Sequence, residues 1–448
     1  MKKKYYAITI LFLAAVVVSC AKDYREAINA PEEAFYKGQE YEAAKMLLPQ
    51  VNKSGKDQLL FMMEAGYLLH IAGRYEDSNK VLLKAAKIAQ IKPISITKEI
   101  GALLTDQTVT NYRGEDFEKV LIHMYLGINF LMLKKYDDAA VEFKAVNNEL
   151  QKIKTESGQA RYKQNLMAKY LAAIAHEQRA DSENSADDRE YAEVEYKQIL
   201  QLKPGLPMAR EDLTRLQQRA GGNTGELVII FQAGRSPIKV SRGKLLDDPG
   251  MNTAVNVALA SQKLAAGVTA ASVLTTVSLA QNPIPKFKIR SNMVRNLRVA
   301  VMGQQLTTEM LENIEYTAIK NMEDNYSRLQ AKVAGSIIVK AVAAAAAGIA
   351  AAEVTRKLSD NNKGLSSLVG LLVGAGTGTA LFATMKPDLR CWHTLPANLQ
   401  IGRMRLAPGK YTARIQYIGY NGAVVNTKMV NFEIKGKEKH FINIRTVE

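Results

Sequence analysis

The sequence predicts an α+β protein in which an N-terminal helical solenoid is followed by a small antiparallel β-sandwich-like domain with long helical insertions. Apolar residues recur with a helical period, in repeated blocks, through residues 24–220. Apolar–polar alternation and an Asn-Gly turn signal mark about the last fifty residues as strands. We therefore predict a signal peptide (1–19), a helical repeat domain (20–220) and a basic β domain (221–448).

The first residues have the layout of an export signal. Lysines at positions 2–4 precede an apolar run over residues 7–18. This run is shorter than the roughly 20 residues that a membrane-spanning helix needs, which favours a cleavable signal. A cysteine, Cys20, follows at once, and its thiol is a natural nucleophile for S-alkylation.

Residues 17–20, Val-Val-Ser-Cys, resemble the lipobox of bacterial lipoproteins. The resemblance implies that a diacylglyceryl group is attached to Cys20 and that the signal is cut just before it. Two or three acyl chains, such as palmitate, would then anchor the chain durably in a bilayer. Ala21 follows the cysteine, which by the proteobacterial sorting pattern implies the outer membrane, facing the periplasm. The other cysteine, Cys391, is left without an intramolecular partner, so we expect no disulfide framework.

The positive charge of the chain is concentrated in its C-terminal half. The formal net charge is +16, of which residues 222–448 carry +14 and the signal carries +3. A basic domain attracts anionic partners, and here these are lipid headgroups, cell-wall polymers or an acidic protein. Nucleic acid is excluded as a partner, because an exported lipoprotein does not meet the chromosome.

Blocks of similar sequence recur in the helical region. Tyr41 and Tyr75, each followed by acidic and small residues, are 34 residues apart. Two blocks share a small–aromatic–small pattern, which consists of Gly66, Tyr75 and Ser78 in one and Gly127, Tyr136 and Ala139 in the other. A fourth, weaker block covers residues 166–204, and its polar stretch RADSENSADDRE predicts a loop between two helices.

These blocks resemble tetratricopeptide (TPR) repeats, whose period is 34 residues. Small residues let the two helices of a unit approach closely, and the tyrosine fills the gap at the turn. The resemblance implies a concave groove that binds a partner protein without catalysis. The helical histidines His70, His123 and His176 are predicted to be packed or edge residues, because they lack acidic neighbours at ligand spacing. We expect no metal and no cofactor.

Two helical insertions are predicted between the strands of the β domain, over residues 251–280 and 305–385. Thr307 or Thr308 is predicted to cap the second. Within it, residues 333–385 predict a Gly/Ala-rich helical hairpin, whose second arm has small residues at every fourth position, Gly370, Gly374 and Gly378. Two interpretations remain open: a buried or oligomer-forming hairpin, which would give a homo-oligomer, and a hairpin that contacts or enters a membrane.

The stretch around Cys391 holds the single tryptophan, Trp392, and His393. A cysteine and a histidine two residues apart suggest a thiol nucleophile, but no third group that would orient the base is visible. We therefore predict no catalytic residues. Asp388 and Arg390 share one face of an extended segment and are predicted to pair, with Trp392 stacked on Arg390 or filling the end of the sandwich.

Taken together, the lipobox, the repeats and two short patterns resemble an uncharacterised family of TPR-containing bacterial envelope lipoproteins. The first pattern lies early in the β domain and the second lies late in it. The matching residues are Gly225, Gly234 and Pro237 for the first and Asp388, Arg390, Trp392, Leu395 and Pro396 for the second. The resemblance implies location and architecture, and it implies no reaction.

Three functions follow from these observations. The first is a lipid-anchored periplasmic scaffold that binds a partner protein through the TPR groove and serves envelope assembly. The second is a membrane-inserting or oligomeric pore-type component that uses the 333–385 hairpin. The third is a cell-envelope enzyme, which is disfavoured because no nucleophile–base–acid set or metal cluster is visible.

Overall fold

The computed structural model describes residues 24–89, 110–153, 164–218, 222–264, 268–278, 280–358, 382 and 385–447. The predicted lipidation site Cys20 and the glycine face formed by Gly370, Gly374 and Gly378 lie outside the described residues. The chain is α+β, as predicted. Its N-terminal half is helical throughout the described residues, and the C-terminal region contains the sheets.

Nine helices form the described part of the N-terminal half. They are α1 (Tyr24–Tyr36), α2 (Glu40–Val51), α3 (Gln58–Ile71), α4 (Tyr75–Ile88), α5 (Asp116–Met132), α6 (Tyr136–Lys152), α7 (Leu166–Glu183), α8 (Ala186–Leu202) and α9 (Pro207–Gln217). Each helix packs on the next one along the chain, and α5 also contacts both α3 and α7. This is the contact pattern of a stacked array of helix pairs.

The helices divide into an inner and an outer layer. In the inner helices α3, α5 and α7 twelve residues each are buried, against five in α4 and four each in α6 and α8. The outer helices bury one apolar stripe and keep a solvated face, whereas the inner helices are covered on several sides. The C-terminal region supplies the cover on the side away from the outer layer.

A common turn joins the helices of each pair. The second residue before α2, α4, α6 and α8 has a positive φ, and these residues are Gly38 (72°), Gly73 (72°), Lys134 (58°) and Asn184 (54°). A left-handed residue at the end of a helix lets the chain reverse within a few residues. The predicted loop RADSENSADDRE is wrong, because α7 continues to Glu183 and α8 begins at Ala186.

Glycines permit the closest approach within two of the pairs. A Cβ atom added at Gly66 would lie 2.5 Å from Leu82 of α4, and one at Gly127 would lie 2.5 Å from Phe143 of α6. The Ser78 hydroxyl, on α4, donates a hydrogen bond of 2.6 Å to the Gly66 carbonyl. The other repeat positions lie at helix starts or in the core: Tyr41, Tyr75 and Tyr136 in the first turns of α2, α4 and α6, and Ala139 buried in α6.

Ten strands form the described sheets. They are β1 (Gly225–Ala233), β2 (Ile238–Val240), β3 (Lys286–Lys288), β4 (Val294–Val301), β5 (Gln304–Thr307), β6 (Glu309–Asn313), β7 (Asn398–Leu406), β8 (Gly409–Gly419), β9 (Val424–Ile434) and β10 (Lys439–Arg445). The inner sheet has the order β10-β1-β7-β6 and the outer sheet the order β5-β4-β8-β9, while β2 and β3 pair separately. The prediction of a purely antiparallel arrangement is wrong at one edge, since β10 runs parallel to β1.

The two four-stranded sheets pack face to face, and the central strand β1 has apolar residues on both faces of the inner sheet. Leu227, Ile229 and Phe231 of β1 belong to the core between the sheets. The alternate residues Val228 and Ile230 belong to the helical core. All nine residues of β1 are therefore buried. The layers are, in order, outer helices, inner helices, inner sheet and outer sheet.

The helical insertions pack on one long helix. Helices α10 (Pro249–Ala260) and α11 (Ala270–Val277) both lie against α12 (Ile314–Leu358). The prediction of a helix that begins at Thr307 or Thr308 is wrong, because β5 and β6 cover residues 304–313. Instead the Asn313 side chain accepts a hydrogen bond of 2.9 Å from the Tyr316 amide at the start of α12. Residues 329–354 of α12 are long and apolar enough to cross a membrane, and 39% of their most apolar window is buried.

Replacement of Gly127 by alanine tests the close packing of the helix pair. Because the new Cβ would lie 2.5 Å from the ring of Phe143, we expect the free energy of unfolding to fall by about 1–3 kcal/mol. Urea denaturation measures the change. The matched control is Gly55→Ala, since no atom lies within 4 Å of its added Cβ and stability should stay within about 0.5 kcal/mol. Equal stability of the two variants would contradict close contact at Gly127.

Candidate functional site at the face between helices and sheet

The segment of residues 388–396, which carries the second short sequence pattern, lies against the inner helices. It precedes β7, and its side chains Cys391, Trp392 and Leu395 are each 1% exposed. Trp392 and Leu395 belong to the same apolar core as the inner helices. The helical array therefore holds a non-helical segment of its own chain.

Two buried carboxylates of the inner helices bind the backbone of this segment. Glu118 of α5 accepts a hydrogen bond of 2.7 Å from the Trp392 amide, and Glu64 of α3 accepts one of 2.6 Å from the His393 amide. The Thr394 hydroxyl also donates to Glu64, at 2.5 Å. Buried backbone amides need hydrogen-bond acceptors, which in a sheet are the carbonyl groups of a neighbouring strand. Here the carboxylates of helix side chains are the acceptors.

Burial shifts the titration of both carboxylates. Burial raises the pKa of Glu118 to about 7, and the positive charge of Lys239 opposes the shift. Burial also raises the pKa of Glu64, against the charge of His393 and the hydrogen bonds from Thr394 and His393. Tyr112 donates a hydrogen bond of 2.5 Å to Glu118, and Tyr24 donates one of 2.9 Å to Glu64. Each carboxylate thus has several donors, as a buried acid requires.

The predicted pair of Asp388 and Arg390 is present. The Arg390 guanidinium donates to Asp388 at 2.8 and 2.9 Å and to Asp57, just before α3, at 2.6 Å. It also lies 5.2 Å from the centre of the Tyr112 ring. The predicted stacking of Trp392 on Arg390 is not observed.

Trp392 packs instead into the helical core. Its ring centre lies 6.0 Å from that of Tyr67 on α3 and 5.8 Å from that of Tyr125 on α5, in edge-on geometry. The prediction that Trp392 could fill the end of the sandwich is also wrong, because the ring is part of the core shared with the helices.

A third group lies beside the cysteine–histidine pair. Glu32 of α1 lies 3.2 Å from Nδ1 of His393. Burial alone would lower the pKa of His393, but hydrogen bonds and charge interactions with Cys391 and Glu32 raise it well above its usual value. The sequence pattern missed this orienting carboxylate, because it comes from a helix more than 350 residues away. Cys391 is only 1% exposed, so a substrate would need access that this conformation does not give.

The two family patterns, far apart in sequence, meet in the structure. The Ser236 amide, between Gly234 and Pro237, donates a hydrogen bond of 2.9 Å to the Leu395 carbonyl, and the Ala397 amide donates one of 2.8 Å to the Ala233 carbonyl. Pro396 lies between these two contacts, and Pro237 directly precedes β2.

The glycines of the first pattern have a backbone role. Gly234 has a φ of 65°, and a Cβ there would lie 2.5 Å from Asn292. Gly225, at the start of β1, leaves room for the Lys435 carbonyl, with which an added Cβ would clash. Gly225 therefore allows a close backbone approach, and Gly234 allows a left-handed backbone conformation.

A buried charge cluster joins the inner sheet to the end of the helical array. Arg403 of β7 donates to Glu177 of α7 at 2.6 Å, to Asp212 of α9 at 2.8 Å and to Glu226 of β1 at 2.5 Å. Two more cations complete it, since Arg215 of α9 and Lys439 of β10 lie 2.6 and 3.2 Å from Glu177. Three carboxylates and three cations therefore balance inside the interface, as buried charges must.

No pattern in the sequence indicates this cluster. Arg403 falls on a strand with apolar–polar alternation, where a charged residue predicts a solvated face. Helices cover the side of the inner sheet that carries Arg403, which is buried against α7 and α9. Burial alone would raise the pKa of Glu177, but the charges of Arg403, Lys439 and Arg215 lower it.

His70 of α3 lies in a second polar network across the same interface. Its Nδ1 lies 2.5 Å from the side-chain oxygen of Asn129 on α5. Its Nε2 lies 2.7 Å from the side-chain amide nitrogen of Gln232 on β1 and 3.0 Å from the side-chain amide nitrogen of Asn443 on β10. With two amide donors facing Nε2, the ring is neutral and carries its proton on Nδ1. Burial lowers the pKa of His70 to about 4, and the hydrogen bond to Asn129 opposes the shift.

The other predicted non-ligand histidines pair with single carboxylates. His123 lies 2.7 Å from Glu142, and His176 lies 2.8 Å from Asp188. Within the described residues, no group of three or more His, Cys, Asp or Glu side chains is arranged to hold a metal ion.

Comparison with known proteins gives no assignment. No protein-family model matches the chain, and no curated protein matches its sequence.

Replacement of Arg403 by methionine tests the charge cluster. The change leaves three carboxylates without their shared cation, so we expect the free energy of unfolding to fall by about 3–5 kcal/mol. Urea denaturation followed by circular dichroism measures it. The matched control is Arg414→Met on β8, an exposed arginine that should cost less than about 0.5 kcal/mol. Unchanged stability of Arg403→Met would contradict a stabilising cluster.

The pH dependence of stability tests the His70 network. Above pH 6.5 the ring is neutral in both the folded and the unfolded chain, so it contributes no pH dependence. Between pH 6.5 and 4, His70 is protonated in the unfolded chain but stays neutral in the folded chain. The free energy of unfolding therefore decreases as the pH is lowered from 6.5 to 4, by about 3 kcal/mol in total. His70→Gln should remove this component from the curve of unfolding free energy against pH. A variant curve parallel to that of the parent chain would refute it.

Proposed function

We propose that this protein is a lipid-anchored, non-catalytic scaffold of the bacterial cell envelope, attached to the outer membrane and facing the periplasm. The observation that carries the proposal is the way the helical array holds residues 388–396. Carboxylates of two inner helices accept hydrogen bonds from the backbone amides of three successive residues, Trp392, His393 and Thr394, and Cys391 beside them is buried. This chemistry serves binding and not turnover.

We further propose that the helices are TPR-like repeats. Support comes from the left-handed residue that recurs two positions before α2, α4, α6 and α8. The contacts of α5 with the neighbouring inner helices α3 and α7 support the same assignment. The small residues at Gly66 and Gly127, which allow the close approach within each pair, support the same assignment. In such an array the inner helices form the peptide-binding surface.

The inner surface bears on where a partner protein binds. Its centre is covered by residues 388–396 and by the inner sheet, which are tied to it by buried ion pairs. We therefore propose that a partner contacts the array on the solvated faces of the outer helices α2, α4, α6 and α8. Exposed apolar residues on these faces are Tyr41 and Met46 on α2, Leu83 and Ile88 on α4, Val141 on α6, and Tyr191 and Val194 on α8.

One observation favours a second candidate function. Residues 329–354 of α12 are long and apolar enough to cross a bilayer, and Val339 and Val354 are each more than half exposed. A pore-type or membrane-inserting component would use this helix. We rank it second because α10 and α11 cover the first half of α12.

Alkaline carbonate extraction of a Cys20→Ala variant separates the two functions. A tethered scaffold without its acyl chains should appear in the soluble fraction, whereas a chain inserted through α12 should stay in the membrane pellet. The parent chain is the control, and mass spectrometry of its N-terminal peptide should show acylation of Cys20. An unmodified, uncleaved N-terminus in the parent chain would overturn lipid anchoring.

A further inference from the structure

The outer sheet has one face that no described element covers. Its inward residues Leu297, Ile415 and Phe432 belong to the core between the sheets. The alternate residues therefore point away from the protein. They are Thr307 and Gln305 on β5, Arg298 and Ala300 on β4, Lys410, Thr412, Arg414 and Gln416 on β8, and Thr427, Met429, Asn431 and Glu433 on β9. Lys410 and Glu433 lie opposite each other at the end of the face. We call this surface the arginine face.

Two arginines lie side by side at its centre. Arg298 pairs with Gln416 in the register of β4 and β8, and Arg414 pairs with Ala300, so the arginines are diagonal neighbours. Diagonal neighbours on adjacent strands are roughly 7–8 Å apart. Both are exposed, and neither has an ion-pair or hydrogen-bond partner among the described residues. Two uncompensated like charges at this distance repel each other, and an anion between them would remove the repulsion.

Four other arginines of the C-terminal region have carboxylate partners. Arg242 is paired with Glu323, Arg290 with Glu32, and Arg390 and Arg403 with the acids described above. The region therefore neutralises several of its buried or half-buried arginines, while Arg298 and Arg414 stay available to an external anion. Their planar guanidinium groups suit two-point binding of a carboxylate or phosphate.

The residues around the arginines are amides and hydroxyls. Gln305, Gln416 and Asn431 can both donate and accept hydrogen bonds, and so can the neighbouring threonines. Met429 is the one large apolar side chain among these residues and is exposed, and Val424 and Val425 are exposed at the start of β9. Protein interfaces depend on a buried aromatic or aliphatic centre, and membrane surfaces need several apolar anchors. The composition therefore favours a hydroxyl-rich, anionic ligand.

We propose that the arginine face binds an anionic polysaccharide, with carboxylate or phosphate groups of the polymer placed between Arg298 and Arg414. Its sugar hydroxyls pair with the surrounding amides and threonines. This inference rests on the proposed function in one respect, which is that an envelope protein meets such polymers. It names the site and the chemistry of the anionic partner.

Binding of the purified full chain to immobilised polygalacturonate, a carboxylated sugar polymer, tests the proposal. The double variant Arg298→Gln/Arg414→Gln should bind about tenfold more weakly or worse, with a smaller dependence on salt. The matched control is Lys244→Gln/Lys263→Gln, which removes the same charge from exposed positions outside the outer sheet. Thermal unfolding of both double variants should match that of the parent chain.

Three results would overturn the proposal. One is an equal loss of binding in both double variants, which would mean that net charge alone attracts the polymer. Another is no binding of the parent chain to polymers that carry carboxylate or phosphate groups. The third is binding to vesicles containing phosphatidylglycerol that depends on the two arginines as strongly as polymer binding does. None of these results depends on Cys20, so failure here is distinguishable from failure of lipid anchoring.

Discussion

The structure depends on the pairing of polar groups buried between the inner helices and the inner sheet. Glu64, Glu118 and Glu177 lie on helices that the sheet side covers, and each is 1% exposed or less. An unpaired carboxylate in such a place would cost several kcal/mol, so each one requires donors from the C-terminal region. The backbone of residues 388–396 and the side chain of Arg403 supply them. The helical array and the sheets are therefore complementary halves of one interior.

This complementarity bears on function. A helical array with an open inner surface would be a receptor for a peptide in trans, but here that surface receives the chain itself. The surfaces that remain are the solvated faces of the outer helices, the arginine face and the apolar part of α12. Under the proposed function, each of these surfaces would contact a different neighbour: a protein, an anionic polymer or a bilayer.

The environment of Cys391 illustrates how burial changes the meaning of a chemical motif. Cys391, His393 and Glu32 together have the composition of a nucleophile, a base and an orienting acid. Tyr24 lies beside these residues, and its hydroxyl donates hydrogen bonds to Glu64 and, at 3.3 Å, to the Cys391 carbonyl. Interactions with Cys391 and Glu32 raise the pKa of His393 against the effect of burial. This shift favours an ion pair with Glu32 over the neutral ring that a general base requires.

The sequence by itself determined the local features of this protein. These features depend on residues that are close together in the sequence, so sequence spacing predicts them. They are the helical periodicity, the small residues at Gly66 and Gly127, the Asn-Gly hairpin and the Asp388–Arg390 pair. Only the tertiary structure decided that Arg403 is buried, that the two family patterns meet, that β10 runs parallel to β1, and that Glu32 reaches His393. Each of these joins residues more than a hundred positions apart. The register of the sheet against the helices, which no local spacing encodes, fixes such contacts.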